Sequence, residues 1–175
     1  DDIFVDTSFT GDTIDGGTHT VDATGTQSSS TPHPGKGDTV DYSNITSKIT
    51  LVLEDGGATT NVKVGNTSAD HTIANIENIY GSSTVGDEIT GNNLANTILG
   101  YGGDDTIDGA GGNNYLDGGE GSSGNFVSYE YVNNSVNKVI VNLTTQTATV
   151  EGSGYNDTIR NIQNVIGGAG ADTLT

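Results

Sequence analysis

Asp87, Asn96, Asp105 and Asn114 recur every nine residues, and each is followed two positions later by an apolar residue: Ile89, Ile98, Ile107 and Leu116. Carboxylate and amide oxygens are hard ligands, and the glycine-rich loops around them leave the backbone free to turn main-chain carbonyls toward an ion. The chemistry on offer is all-oxygen coordination of a cation such as calcium, which takes about six to eight oxygens. One loop supplies only about half of them, so loops must stack to complete a site. Residues 167–175 fill every position of the pattern G-G-x-G-x-D-x-U-x, with Asp172 as the acid and Leu174 as the apolar U residue.

Elements that position such loops must repeat with them. Looser copies of the pattern occupy 82–90, 91–99, 100–108 and 109–117, and a nine-residue period leaves room for a turn and one short strand. A longer repeat surrounds them. Val40-Asp41-Tyr42 matches Val127-Ser128-Tyr129, and 72–81 matches 158–167, for a period of roughly 86 residues. Both copies carry two β-rich stretches around a turn, 48–53 with 61–64 and 139–143 with 147–150, which predict hairpins. Ile73, Ile76 and Ile79, like Ile159, Ile162 and Val165, recur every three residues, a period of neither a plain strand nor a clean helix. They read as core residues at tight corners, with Asn75, Asn78, Asn161 and Asn164 bonding turn backbone.

Charge points the same way. The chain has 23 acidic residues against 5 basic ones, a net charge of −18, and only 31% of it is hydrophobic. Such a chain cannot offset its ordering entropy by apolar burial alone. The regular Ile/Leu spacing favours a fold in which bound cations neutralise the acids over a disordered acidic chain. Phosphates would be repelled by this surface, which argues against nucleic-acid binding. Cysteine is absent, so no thiolate site or disulfide framework is available. No apolar run reaches the length of a membrane span.

These residues resemble the RTX (repeats-in-toxin) proteins of Gram-negative bacteria and their hemolysin-type β-roll module. The resemblance is close at 167–175 and good at 82–117. It is looser at 1–17, 35–42 and 118–126. It implies a parallel β-roll in which successive nonapeptides lie on alternate sides and calcium sits between loops eighteen residues apart. Asp87 and Asp105 would then share an ion with main-chain carbonyls near Gly100, Gly102 and Asp104. Asn96 over Asn114 would form a weaker site, because amide oxygens carry less charge. Asp172, with carbonyls of Gly167 and Ala169, would form part of a further site, and Asp2 and Asp12 are further candidates. Ser123 stands where an acid is expected, and the roll is expected to end before Phe126. The family also implies type I secretion and a location outside the cell or on the bacterial surface.

The fold class expected is all-β, a parallel β-roll or solenoid with antiparallel hairpin inserts. Three parts are delimited: 1–81 with a surface insertion at 18–34, the roll at 82–126, and 127–175; the alternative is one continuous domain. The chain reads as a segment of a longer array, whose partners are calcium ions and neighbouring repeats. No catalytic constellation is evident: His19, His33 and His71 are scattered and read as surface residues, and neither H-E-x-x-H nor G-x-S-x-G occurs. The expectation is therefore a non-enzymatic calcium-binding folding module of a large secreted bacterial protein. Two alternatives stay open: an adhesive module of a giant surface adhesin, or the repeat tail of a secreted polysaccharide-modifying enzyme or toxin. With no Trp and 6% aromatic residues, a stacking sugar-binding platform is disfavoured, and Tyr129, Tyr131 and Tyr155 are the aromatic contacts left for a cell-surface or glycan ligand.

Overall fold

A computed structural model describes residues 3–5, 13–16, 37–66, 71–120, 124–135 and 137–175. The 18–34 insertion and Asp2, Asp12, His19, His33 and Ser123 lie outside these residues. All regular elements among the described residues are β-strands, most of them three or four residues long. Short strands follow from the nine-residue period, because about six residues of each repeat are spent on the turn.

The nonapeptides form β8 (Glu88–Thr90), β9 (Thr97–Leu99), β10 (Thr106–Asp108) and β11 (Tyr115–Asp117). They alternate between two sheets, as expected of a β-roll. β9 and β11 pair parallel in one sheet and β8 and β10 in the other. Upstream lie β1 (Ile3–Val5), β2 (Thr13–Asp15), β3 (Thr39–Asp41), β4 (Ile49–Val52), β5 (Thr60–Val64), β6 (His71–Ala74) and β7 (Asn78–Tyr80). Downstream lie β12 (Phe126–Ser128), β13 (Val139–Asn142), β14 (Thr147–Val150), β15 (Tyr155–Arg160), β16 (Asn164–Ile166) and β17 (Thr173–Leu174). The nine-stranded sheet runs β1-β3-β7-β9-β11-β15-β14-β13-β17, and the eight-stranded sheet β16-β12-β10-β8-β4-β5-β6-β2.

The register stacks the apolar U positions on one another. Ile79, Ile98, Leu116 and Ile159 form one column and Leu51, Ile89, Ile107, Val127 and Val165 the other. Most of these side chains are fully buried, and they belong to one core cluster that runs from Val40 to Ile159. The two columns meet between the sheets, where a chain with few apolar residues concentrates those it has.

The hairpins are rungs of the roll rather than appendages. β4 and β5 are antiparallel, β5 and β6 are antiparallel, and the meander lies within the eight-stranded sheet. Its counterpart, β13, β14 and β15, lies within the nine-stranded sheet. The 86-residue repeat is therefore also a topological one, with β2–β8 matching β11–β17 and the two meanders on opposite faces. One unit passes to the next by about half a turn around the roll.

The expected end of the roll before Phe126 is corrected by the ladder itself. β12 pairs parallel with β10 on one side and with β16 on the other. Asn125 takes the place expected of Ser123: its Oδ1 accepts the Asp105 N–H at 2.8 Å, so a turn two residues longer restores the phase. The core reading of the isoleucines holds for Ile73, Ile76 and Ile79, all buried, but only Ile76 stands at a corner, Ile73 and Ile79 lying in β6 and β7; Ile162 and Val165 are only partly covered. Asn78 bonds the Gly37 carbonyl as expected. Asn75 and Asn161 instead bond side-chain carboxylates, of Asp15 and Asp117.

Truncating a central U residue tests this packing. Ile98→Ala is expected to destabilise the calcium-loaded fold by about 2–5 kcal/mol in urea denaturation, whereas Val52→Ala, on an exposed position, should be near neutral.

Candidate metal centre

The sixth residue of each nonapeptide faces its own turn and also reaches the neighbouring rung. On one side of the roll, Asp87 Oδ1 accepts the Ile49 N–H at 2.7 Å and Asp105 Oδ1 accepts the Asp87 N–H at 2.7 Å. Asn125 and then Gln163 continue the series. On the other side, Asn114 Oδ1 accepts the Asn96 N–H at 2.9 Å, and Asp157 Oδ1 accepts the Asn114 N–H at 2.8 Å. Glu77 does the same for Asp38, and Asp172 for Val139. Each oxygen satisfies an N–H at the point where a turn enters a strand, which would otherwise cost about 1–3 kcal/mol if buried and unpaired.

Glycine lets the loops approach closely enough for this. A Cβ on Gly100 would collide with the Asp105 carboxylate folded back over it, and one on Gly86 would collide with the Asp104 carbonyl of the next loop on that side. The Gly102 N–H reaches the Ser82 carbonyl at 3.3 Å across the same stack. Loops 82–87 and 100–105 are thus pressed together, backbone against backbone.

Two buried carboxylates meet there. Asp87 is held by the N–H groups of Ile49 and Ser82, the latter at 2.6 Å. Asp105 is fully buried; its Oδ1 is bonded, but its Oδ2 has no hydrogen-bond partner among the described residues. Burial pushes the Asp87 carboxyl up to about 7, the N–H groups of Ile49 and Ser82 opposing, and the Asp105 charge raises it further. Burial likewise pushes Asp105 up to about 6, opposed by the Asp87 N–H and assisted by Asp104. A lone buried anionic oxygen beside stacked carbonyls lacks a counter-charge, and a hard cation is the group whose chemistry fits it. Among the described residues, no three His, Cys, Asp or Glu side chains cluster into a metal site of their own. Any ion here would draw a large share of its oxygens from the main chain.

The other expected ligands fall as follows. Asn96 and Asn114 lie on the opposite side of the roll, eighteen residues apart and directly bonded, with Asn96 Nδ2 also donating to the Glu77 carbonyl. Gly167 lies against the Asp172 carboxylate as Gly100 does against Asp105, while the Ala169 N–H bonds the Val132 carbonyl at 2.9 Å. The Asp172 loop packs on the 132–139 segment rather than on another nonapeptide loop.

Sequence reasoning missed Asp157, Asn125 and the Glu77/Gln163 pair as members of the oxygen series. The 86-residue alignment, which places Glu77 over Gln163, was the signal available. It also missed a buried polar pair. Tyr129 is fully buried and its hydroxyl donates to Asp157 Oδ2 at 2.9 Å, which corrects its reading as a glycan contact; the Tyr131 hydroxyl is buried too. Burial raises the Tyr129 phenol, with the Asp157 charge adding to it, and pushes Asp157 itself up to about 6. The counterpart in the other unit is Tyr42 beside His71, with ring centroids 6.2 Å apart. His71 is buried, not a surface residue: it lies on the inward face of β6, where the alternation of that strand turns it into the core.

Stacked glycine loops, an inter-rung oxygen series and two sheets of short, mostly parallel strands define a β-roll with loops of calcium-binding type. Residues 90–123 and 163–175 match the RTX calcium-binding nonapeptide repeat, in four copies. Over these stretches the chain carries repeats of the RTX type, a kind that binds Ca2+. No curated protein matches the chain.

Two substitutions probe the geometry. Gly86→Ala should force the stacked loops apart and cost roughly 1–3 kcal/mol in thermal or urea denaturation. Tyr129→Phe removes the donor to buried Asp157 Oδ2 and should cost about 1–3 kcal/mol with no change in calcium stoichiometry by titration calorimetry.

Proposed function

We propose that this chain is a calcium-dependent folding module of a large bacterial protein that acts outside the cell, reached by type I secretion. The observation that carries the reading is the buried, unpartnered Asp105 Oδ2 within a stack of calcium-type glycine loops. The primary site comprises the carboxylates of Asp87 and Asp105 with the carbonyls of Gly100, Gly102 and Asp104. Asn96 and Asn114 form a weaker site on the other side, and Asp172 with the Gly167 and Ala169 carbonyls a further one. In this reading the module is structural rather than catalytic.

When bound, calcium supplies the positive charge that this acidic chain lacks. The residues do the rest. Without a cation, the carboxylates resist burial, and with 23 acids against 5 bases the chain repels itself. An extended chain suits passage through an export channel. Outside, where the ion is plentiful, the loops close and the U residues stack. The loop sites hardly exist in the unfolded chain, so binding free energy becomes folding free energy. Calcium at about 1,000 times its Kd contributes roughly 4 kcal/mol per site, enough for two or three sites to decide whether the module folds.

Far-UV circular dichroism during a calcium titration tests the reading, with magnesium as the control ion. The wild-type chain should gain β signal cooperatively with calcium and not with magnesium. Asp105→Asn keeps the oxygen that accepts the Asp87 N–H but loses the charge, so it should need more calcium and still reach the folded spectrum. Asp105→Ala loses both and should fall short of it. A fully folded spectrum in excess chelator, unchanged by calcium, would sink the proposal.

A further inference from the structure

The two sides of the roll close their turns with different atoms in the same place. Asp105 and Asn114 hold the sixth position of successive nonapeptides, and each lays one side-chain atom over the glycine that opens its turn. A Cβ on Gly100 would meet Asp105 Oδ2, and one on Gly109 would meet Asn114 Nδ2. The second atom does the same job in both: Asp105 Oδ1 accepts the Asp87 N–H, and Asn114 Oδ1 accepts the Asn96 N–H. A nitrogen thus stands on one side where, on the other, stands a buried oxygen with no hydrogen-bond partner among the described residues.

That nitrogen is in use. Asn114 Nδ2 donates to the Gly111 carbonyl at 3.1 Å. Gly111 lies nine residues on from Gly102, whose carbonyl is among the ligands proposed for the Asp87/Asp105 ion. The amide therefore takes a carbonyl of the kind that the ion takes. Asn96 works alike: its Oδ1 accepts the Asn92 N–H at 2.9 Å, and its Nδ2 donates to the Glu77 carbonyl at 2.9 Å and to Asn92 Oδ1 at 3.2 Å. Reversing either amide would set oxygen against a carbonyl, so the bonds fix which atom is which. Asp157, the carboxylate next in this series, is capped as well, by the Asn114 N–H on Oδ1 and the Tyr129 hydroxyl on Oδ2. This side has its donors built in.

We infer that the Asn96 and Asn114 amides stand in for calcium, so that the sixth residue decides, turn by turn, whether the roll needs an ion. Ionised Asp presents only acceptors and calls for a cation; Asn presents an acceptor and a donor and closes the turn itself. Carboxylate and amide have nearly the same shape, so the exchange leaves the backbone of the turn where it is. An ion entering the Asn96/Asn114 side must displace donors already in place, which makes that site the weaker of the two. The Asn turns in this way lower the number of ions that the fold requires. The inference deepens the calcium reading and rests on it for the Asp87/Asp105 side.

Thermal unfolding across a calcium series, with ion counts from titration calorimetry, tests it. The midpoint rises with the logarithm of calcium concentration, more steeply the more ions the fold holds. Asn114→Asp sets a second carboxylate beside Asp157 and an oxygen against the Gly111 carbonyl. At the lowest calcium that folds the wild type, its midpoint should lie below that of the wild type. It should then climb more steeply and take up one more tightly bound ion per chain. Asn96→Asp, which puts an oxygen against the Glu77 carbonyl, should behave in the same way. Asn114→Ala removes donor and acceptor without adding charge, so it should lower the midpoint by a similar amount at every calcium concentration and bind no further ion. Asp variants that both keep the wild-type slope and ion count, or that both fail to fold at any calcium concentration, overturn the inference. A neutral Asn114→Ala overturns it too, since the amide would then close nothing. Wild-type chain whose midpoint ignores calcium removes the calcium reading instead, and the slopes of the Asp variants then decide this one.

Discussion

Each rung of this roll holds the next through a side-chain oxygen placed on a main-chain N–H where turn becomes strand. Asp87, Asp105, Asn125 and Gln163 carry the series on one side, and Asn96 is tied through Asn114 to Asp157 on the other. The remainder of the architecture depends on these contacts. They fix the height of each loop over its neighbour, and with it the register that puts Ile89 on Ile107 and Ile98 on Leu116. The contact asks only for an acceptor oxygen at the right reach, so Asp, Asn, Glu and Gln all serve. Charge is therefore left over as a separate variable.

That separation explains the uneven distribution of acids. On the Asp87/Asp105 side two carboxylates are buried against each other's backbone, and burial raises both. A carboxyl whose folded value lies above its unfolded one lends stability only at low pH and loses it as pH rises through the folded value. At neutral pH and without a cation these groups therefore work against the fold. On the other side Asn96 and Asn114 make the same bonds with neutral amides, and the carboxylate next in the series, Asp157, is raised to about 6 by burial. The few basic residues do little to offset the acids: Lys48 with Glu88 and Lys138 with Glu151 are the ion pairs among the described residues, and they are exposed enough to be worth little.

The longer repeat adds a second layer of order. Each 86-residue unit inserts an antiparallel meander into a parallel stack, and the two meanders fall in different sheets. Apolar stacking continues through both, because β4 and β13 each present a parallel edge to a nonapeptide strand, β8 or β17. The buried Tyr129–Asp157 and Tyr42–His71 pairs sit at matching places in the two units, the first joined by a hydrogen bond and the second by a ring contact.

Much of this was legible in the residues alone. Period nine in Asp/Asn and Ile/Leu, with glycine at the loop positions, determined one turn and one short strand per repeat, and the resemblance to RTX repeats implied parallel rungs on alternate sides. The match of 72–81 to 158–167 determined the second unit, and the alternating β-rich stretches determined the hairpins. Other features were decided only by the tertiary structure. Asn125 replaced Ser123 because a longer turn restores phase, and that depends on the height of the rung beneath. His71 went inside because β6 turns that face to the core, where Tyr42 from a distant rung meets it. The half-turn between units arises from counting rungs around the roll, and no local sequence records it. Local spacing specifies which residues repeat; the contacts between rungs specify where each repeat stands.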